Sequence, residues 1–131
     1  MNIKNYISLI LRAIIAIIFL QTLYFKFTAH PESVYIFSQL GVEPYGRISL
    51  GIIELITAVL IFIPKTKLYG IGLSFGIILG AIFSHLLVIG LTINGDGGSL
   101  FILALVVLIS TLILSILHTR EIMAIIDRWR K

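Results

Sequence analysis

Residues 68–91 read LYGIGLSFGIILGAIFSHLLVIGL, a stretch that contains no Asp, Glu, Lys or Arg. A helix needs about 20 mainly apolar residues to cross the hydrocarbon core of a bilayer, and this run exceeds that length. Within it Gly72, Gly76, Gly80 and Ser84 place a small residue at every fourth position, which aligns them along one helix face. Helices in lipid gain packing energy by close backbone approach along such faces. The stripe is therefore expected to pack against another helix of the same chain, with a homodimer face through Gly72, Gly76 and Gly80 as the alternative.

Working outward, three further apolar runs flank this one. The first covers residues 6–27 and is interrupted by Arg12, Gln21 and Lys26; the second covers 48–63, contains Glu54 and is closed by Pro64; the last covers 100–117 and is bounded by His118 and Arg120. Proline closes a helix because it has no N–H to donate. The expected fold is all-α: a four-transmembrane-helix bundle forming one integral membrane domain over residues 1–131. The first run is read as a retained span, since it is long, carries Arg12 and is not followed by a small-x-small cleavage pattern.

Composition supports this class. Of 131 residues 59% are hydrophobic and 12% charged, against about 45–50% apolar and about 25% charged in soluble domains. The net charge of +4 does not indicate nucleic acid, because the basic residues border apolar runs instead of clustering on a soluble face. Lys4, Lys65, Lys67, Arg120, Arg128, Arg130 and Lys131 fall on one side of the spans, and Lys26 and Arg47 border the other. Cytoplasmic loops are enriched in Lys and Arg, so both termini are expected in the cytoplasm and the protein in the plasma or inner membrane. The absence of cysteine excludes thiol redox chemistry, thiolate metal sites and disulfides.

The connections carry their own signals. His30-Pro31-Glu32, followed by apolar residues to Leu40 and then Gly41, is the order of a short helix, expected on the outer surface. Asn94-Gly95-Asp96-Gly97-Gly98 is a turn, with Ser99 as the expected N-cap of the last span. In the tail, residues 119–131, Ile122, Ile125, Ile126 and Trp129 recur at helical spacing, the pattern of an amphipathic helix in the cytoplasmic interface.

Ionisable groups inside a membrane cost about 2.5–3.5 kcal/mol each on insertion scales, so they turn inward and find partners. Arg12, Lys26, Glu54 and His85 are the candidate pocket residues on this ground. Glu54 and His85 both fall roughly 10 Å below the outer surface, at about 1.5 Å of rise per residue. Gln21 reaches a similar depth on a different side of its helix. Arg12 and Lys26, fourteen residues apart, share a face, and either can be the counter-ion of Glu54. For Glu54 the alternatives are a register-setting ion pair and a ligand- or proton-binding carboxylate; for His85 they are a hydrogen-bonded interior histidine and a ligand contact. No metal site is expected: the spacing of His30, Glu54 and His85 does not support one, and His85 and His118 are poorly placed as an axial haem pair.

An arginine in the first helix, Tyr24-Phe25-Lys26-Phe27 at its end, Val34-Tyr35-Ile36-Phe37-Ser38-Gln39-Leu40-Gly41-Val42-Glu43-Pro44 in the loop, Gly51-Ile52-Ile53-Glu54-Leu55 in the second helix and Ala81-Ile82-Phe83-Ser84-His85 in the third follow one another in an order that resembles the DoxX and DoxX-like family of small four-helix membrane proteins. The resemblance runs to about Gly90. It implies a membrane subunit associated with quinone-linked oxidation or with redox complexes, a membrane or peripheral oxidoreductase as partner, and quinone as the ligand class. Any enzymatic part would be that of a non-thiol subunit; no haem, flavin or nucleotide signature is present. The competing readings are a non-catalytic assembly subunit, whose polar groups only set helix register, and a small proton or weak-acid transporter.

Overall fold

The computed structural model describes residues 2–93 and 95–130. Among them the chain is wholly helical: α1 (Ile3–Phe27), α2 (Pro31–Gln39), α3 (Tyr45–Leu60), α4 (Lys67–Ser84), α5 (Ser99–Leu117) and α6 (Thr119–Arg130), with α4 continuing into a π-helical turn over His85–Ile89. The asparagine side chain of Asn2 opens α1 by accepting from the Asn5 N–H at 2.9 Å, which satisfies one of the free donors of the first turn. Pro31 and Glu32 open α2 as the sequence predicts, with His30 as its N-cap.

Among the described residues three helices are long and apolar enough to cross a membrane: α1, α4 with its π turn, and α5. The second expected run, 48–63, is helical one turn earlier, and at 16 residues α3 is shorter than the usual span of about 20. Both ends of that shift have a cause. Arg47 is gripped by Glu43 at 2.9 Å and reaches the Lys26 carbonyl, which draws Tyr45–Arg47 into the helix. At the other end Pro64 disfavours helical geometry in the residue before it, and the Thr66 hydroxyl donates to the Leu60 carbonyl at 2.8 Å.

The four longest helices form a ring in which α1 packs on α3 and α5, and α4 packs on the same two. Neighbours run antiparallel. Ile15, Phe19, Ile61, Ile71, Val107 and Leu114 fill the centre. The buried hydroxyls of Thr57, Ser74 and Ser110 donate to the carbonyl four residues earlier in their own helices, so each enters the core with its polar group satisfied. Short α2 lies across one end of the ring, touching α1, α3 and the π turn. The start of α1 and the whole of α6 lie at the other end. There α6 leaves Met123, Ile126 and Trp129 exposed; Lys131 of the expected tail lies outside the described residues.

Two expectations are corrected. Ser99 is not the N-cap of α5: Gly98 holds that position in a left-handed conformation (φ 83°). The turn is organised instead by Asp96, whose carboxylate accepts from the N–H groups of Ile93, Gly98 and Leu100. The Ile93 bond first, with the other two, holds this carboxyl below the usual carboxylate range.

The glycine stripe of α4 also differs from its expected role. A Cβ added at Gly72, Gly76 or Gly80 would meet nothing within 4 Å, so the stripe makes no close contact within the protomer. Regular spacing identifies residues on one face but not what that face meets. The close approach occurs at Gly70, off the stripe, where a Cβ would fall 2.7 Å from the Ile61 nitrogen and 2.8 Å from its Cα. Backbone atoms cannot swing aside. Gly70→Ala should therefore destabilise the purified protein by about 1–3 kcal/mol, as expected for overpacking, whereas Gly76→Ala should leave its thermal unfolding in detergent nearly unchanged.

Candidate functional site

Between the four long helices, at the end roofed by α2, lies a cavity of about 520 Å³. That falls within the roughly 300–1,000 Å³ typical of small-molecule sites. Its walls are mostly apolar and include Phe19, Phe25 and Phe37, with Gln21, Thr22, Lys26, Glu54 and His85 as polar points. Gly76 and Gly80 line it as well, are exposed and would leave an added Cβ in open space, so the wall is open where α4 carries no side chains.

The counter-ion of Glu54 is Lys26. Its ammonium lies 3.1 Å from Glu54 Oε2, with both side chains buried. Thr22 completes the group: its hydroxyl accepts from Lys26 at 3.1 Å, and its single hydrogen is shared between the Phe19 carbonyl at 2.8 Å and Glu54 Oε2 at 3.0 Å. A buried ion pair is tolerated only when its remaining hydrogen-bonding capacity is met, and Thr22, one turn before Lys26 on α1, contributes to that. A lysine with a hydroxyl residue four positions earlier is the sequence signal for this group.

His85 sits at the junction of α4 and its π turn. Its main-chain carbonyl accepts from the Gly90 N–H at 2.8 Å, and its ring Nδ1 lies 2.9 Å from the Gly90 carbonyl oxygen. Gly90 has φ 83°, a conformation that favours glycine. Phe101 of α5 packs edge-on against the imidazole at 5.4 Å between centroids. His85 thus anchors its own helix end and lines the cavity.

Arg12, grouped with these residues on sequence grounds, is elsewhere. It lies towards the terminal end of the bundle and is not part of the cavity wall. Its Nε donates to the Ser8 hydroxyl at 3.1 Å and its Nη1 to the Ile61 carbonyl at 3.0 Å. A guanidinium suits this task because its rigid fork carries several donors. It serves here a carbonyl at the end of α3 that has no later helical N–H to receive. Sharing a face with Lys26 therefore did not mean sharing a partner.

Arg12 belongs to a second polar cluster that sequence reading did not assemble. The Ser8 oxygen lies 2.8 Å from His118 Nε2, and His118 Nδ1 lies 3.0 Å from Glu121 Oε2. Lys4 reaches Glu121 at 3.3 Å. Since Arg12 already donates to Ser8, the Ser8 hydroxyl hydrogen is free for Nε2, which leaves the ring proton on Nδ1 facing Glu121. The chain joins α1, α5 and α6. Only Ser8 at four residues before Arg12, and Glu121 at three after His118, hint at it locally; the Ser8–His118 bond spans most of the sequence. Among the described residues no three His, Asp or Glu side chains come together as a metal cluster.

An antiparallel ring of apolar helices, with its ionisable groups turned inward and paired, is the construction of a helical membrane protein. The family model of the DoxX-like family matches residues 10–114, and the chain belongs to that family. The match continues past Gly90 through nearly all of α5. Neither a curated protein nor a solved structure shows significant similarity to the chain.

The two clusters make separate predictions. Lys26→Met should cost about 3–5 kcal/mol by leaving a buried charge unpaired, and most of that loss should return when Glu54→Leu is added; unfolding in mixed micelles measures both. Burial pushes the His118 imidazole below its ordinary value, against the opposing pull of Glu121. The unfolded chain therefore takes up this proton first as pH falls below about 6.5. The His118 contribution to stability should be complete above that pH and decline below it, towards the depressed folded value. His118→Gln should flatten that slope in thermal melts.

Proposed function

We propose that this chain is a four-span membrane protein whose cavity holds the head group of a quinone-type ligand, as a non-thiol subunit of a membrane redox assembly. The cavity carries the reading: one apolar, aromatic-lined space at the lateral edge of the bundle, with a buried Lys26–Glu54 pair and His85 in its wall. The volume suits one substituted ring, the opening beside Gly76 and Gly80 suits an apolar tail lying in lipid, and the polar points suit ring oxygens. Lys26 would donate to such an oxygen, and Glu54 would exchange a proton at its carboxylate. When bound, a quinone supplies two-electron, two-proton chemistry that the side chains of a cysteine-free chain do not offer.

The four-span reading is supported by the position of α3 in the same ring as the three longer helices. Its 16 helical residues continue into Ile61–Ile63, which brings the apolar segment near the thickness of a thin bilayer. Under this topology α2 caps the outer face, while α6 lies at the inner face with both termini in the cytoplasm of a cell-membrane protein. The basic residues Lys65, Lys67 and Arg128 gather at that inner side, as the positive-inside rule requires. A homodimer through Gly72, Gly76 and Gly80 would set the lateral openings of two copies face to face.

Two measurements test these statements. Short-chain ubiquinone and menaquinone analogues should raise the melting temperature of the purified protein, and Glu54→Gln should abolish the rise; no shift with either analogue removes the quinone reading. Because the chain has no native cysteine, single cysteines at Tyr35, Lys65, Gly95 and Met123 report topology directly. An impermeant maleimide added to intact cells should label the first and third only. Labelling of Tyr35→Cys and Lys65→Cys from the same side would show that α3 does not cross.

A further inference from the structure

The buried groups of the cavity wall have hydrogen-bonding capacity left over, and its sign identifies the ligand more closely. His85 is only 6% exposed. The Gly90 carbonyl can only accept, so His85 Nδ1, 2.9 Å away, carries the ring proton. A neutral imidazole has one N–H, so Nε2 is a bare acceptor. No hydrogen bond among the described residues engages it.

The ring is not free to turn and offer its N–H instead. Backbone and side chain of His85 both clasp Gly90, and Phe101 packs edge-on against the imidazole. On the neighbouring wall, Lys26 and Thr22 both engage Glu54 Oε2, and no hydrogen bond among the described residues engages Oε1. The Lys26 ammonium keeps one of its three hydrogens after serving Glu54 and Thr22. Beside Gln21, Glu32 and Ser33, which also line the cavity, the three groups His85, Glu54 and Lys26 together offer two acceptors and one donor.

A ligand carbonyl or ether oxygen satisfies only the donor. A hydroxyl satisfies both kinds, since its hydrogen can go to His85 or Glu54 while its oxygen accepts from Lys26. The surrounding phenylalanines Phe19, Phe25 and Phe37 suit a flat ring as the hydroxyl's carrier. We propose that the cavity selects lipid-soluble aromatic compounds bearing a hydroxyl, phenols or hydroquinones, over the corresponding carbonyl or ether compounds, with His85 Nε2 accepting the hydroxyl hydrogen. This rests on the reading of the cavity as a ligand site and specifies which chemical form that site holds.

A redox-inert pair of probes separates the two levels. Para-decylphenol and its methyl ether have nearly the same shape and tail but differ in the donor hydrogen. Titrated into the full chain in nanodiscs and followed by calorimetry, the phenol should bind about tenfold more tightly than the ether, the equivalent of one hydrogen bond. Equal affinities would overturn the hydroxyl selectivity while leaving the cavity as a ligand site; binding of neither compound would overturn both. His85→Phe should bring the two affinities closer, to whatever difference Glu54 Oε1 alone sustains, and an unchanged tenfold difference would overturn the role of His85. Because His85 also anchors the π turn, the nitrogen resonances of the unmutated ring provide an independent readout: Nε2 should shift on adding phenol and stay in place with the ether. An Nε2 signal unmoved by bound phenol would overturn the assignment.

Discussion

A charge inside an apolar bundle has to be neutralised where it stands, and the Lys26–Glu54 pair is where this chain meets that requirement. The contact fixes the register of α1 against α3, because moving either helix by one turn would separate the charges and leave both buried and unpaired. Arg47 acts on the same pair of helices, joining the first turn of α3 to the last turn of α1 through the Lys26 carbonyl. With those two helices set, α2 has a fixed short path across the end of the ring, above the space that opens beside Gly76 and Gly80.

Polar groups are divided unequally between the two ends of the molecule. At the terminal end, Arg12, Ser8, His118 and Glu121 satisfy one another in sequence. At the α2 end the polar groups are satisfied only in part and face an open space. That difference is the ground on which the α2 end, and not the terminal end, is proposed as the ligand site: complete hydrogen bonding makes an interior rigid.

The helical architecture was legible because hydrophobic runs and their breakers are local signals. The apolar runs, the proline that ends α3 and the Pro31-Glu32 start of α2 each identify an element without reference to the rest of the fold. Side-chain partners were less legible. Helical spacing put Arg12 and Lys26 on one face but could not say that Arg12 would meet the end of α3 first. The same limit applies to Gly72, Gly76 and Gly80, whose spacing is regular while the contact falls at Gly70, and to His118, which reads as a boundary residue until α5 returns beside α1. Glu54 and His85 were found by their cost in an apolar segment, a signal that needs no knowledge of their neighbours; Thr22 was missed because threonine in such a segment costs little.

The ring has an order of assembly built into it. Its first long helix, α1, is a neighbour of its last, α5, and both contribute to the cavity wall. During synthesis α1 and α3 can pair early and bring Lys26 to Glu54, but the space beside them stays open until α5 emerges and docks along α1. The ion pair needs only α1 and α3, whereas the pocket also needs α4 and α5. A chain ending before residue 99 would hold both partners of the ion pair but lack Leu100, Leu103 and Ala104 of the cavity wall.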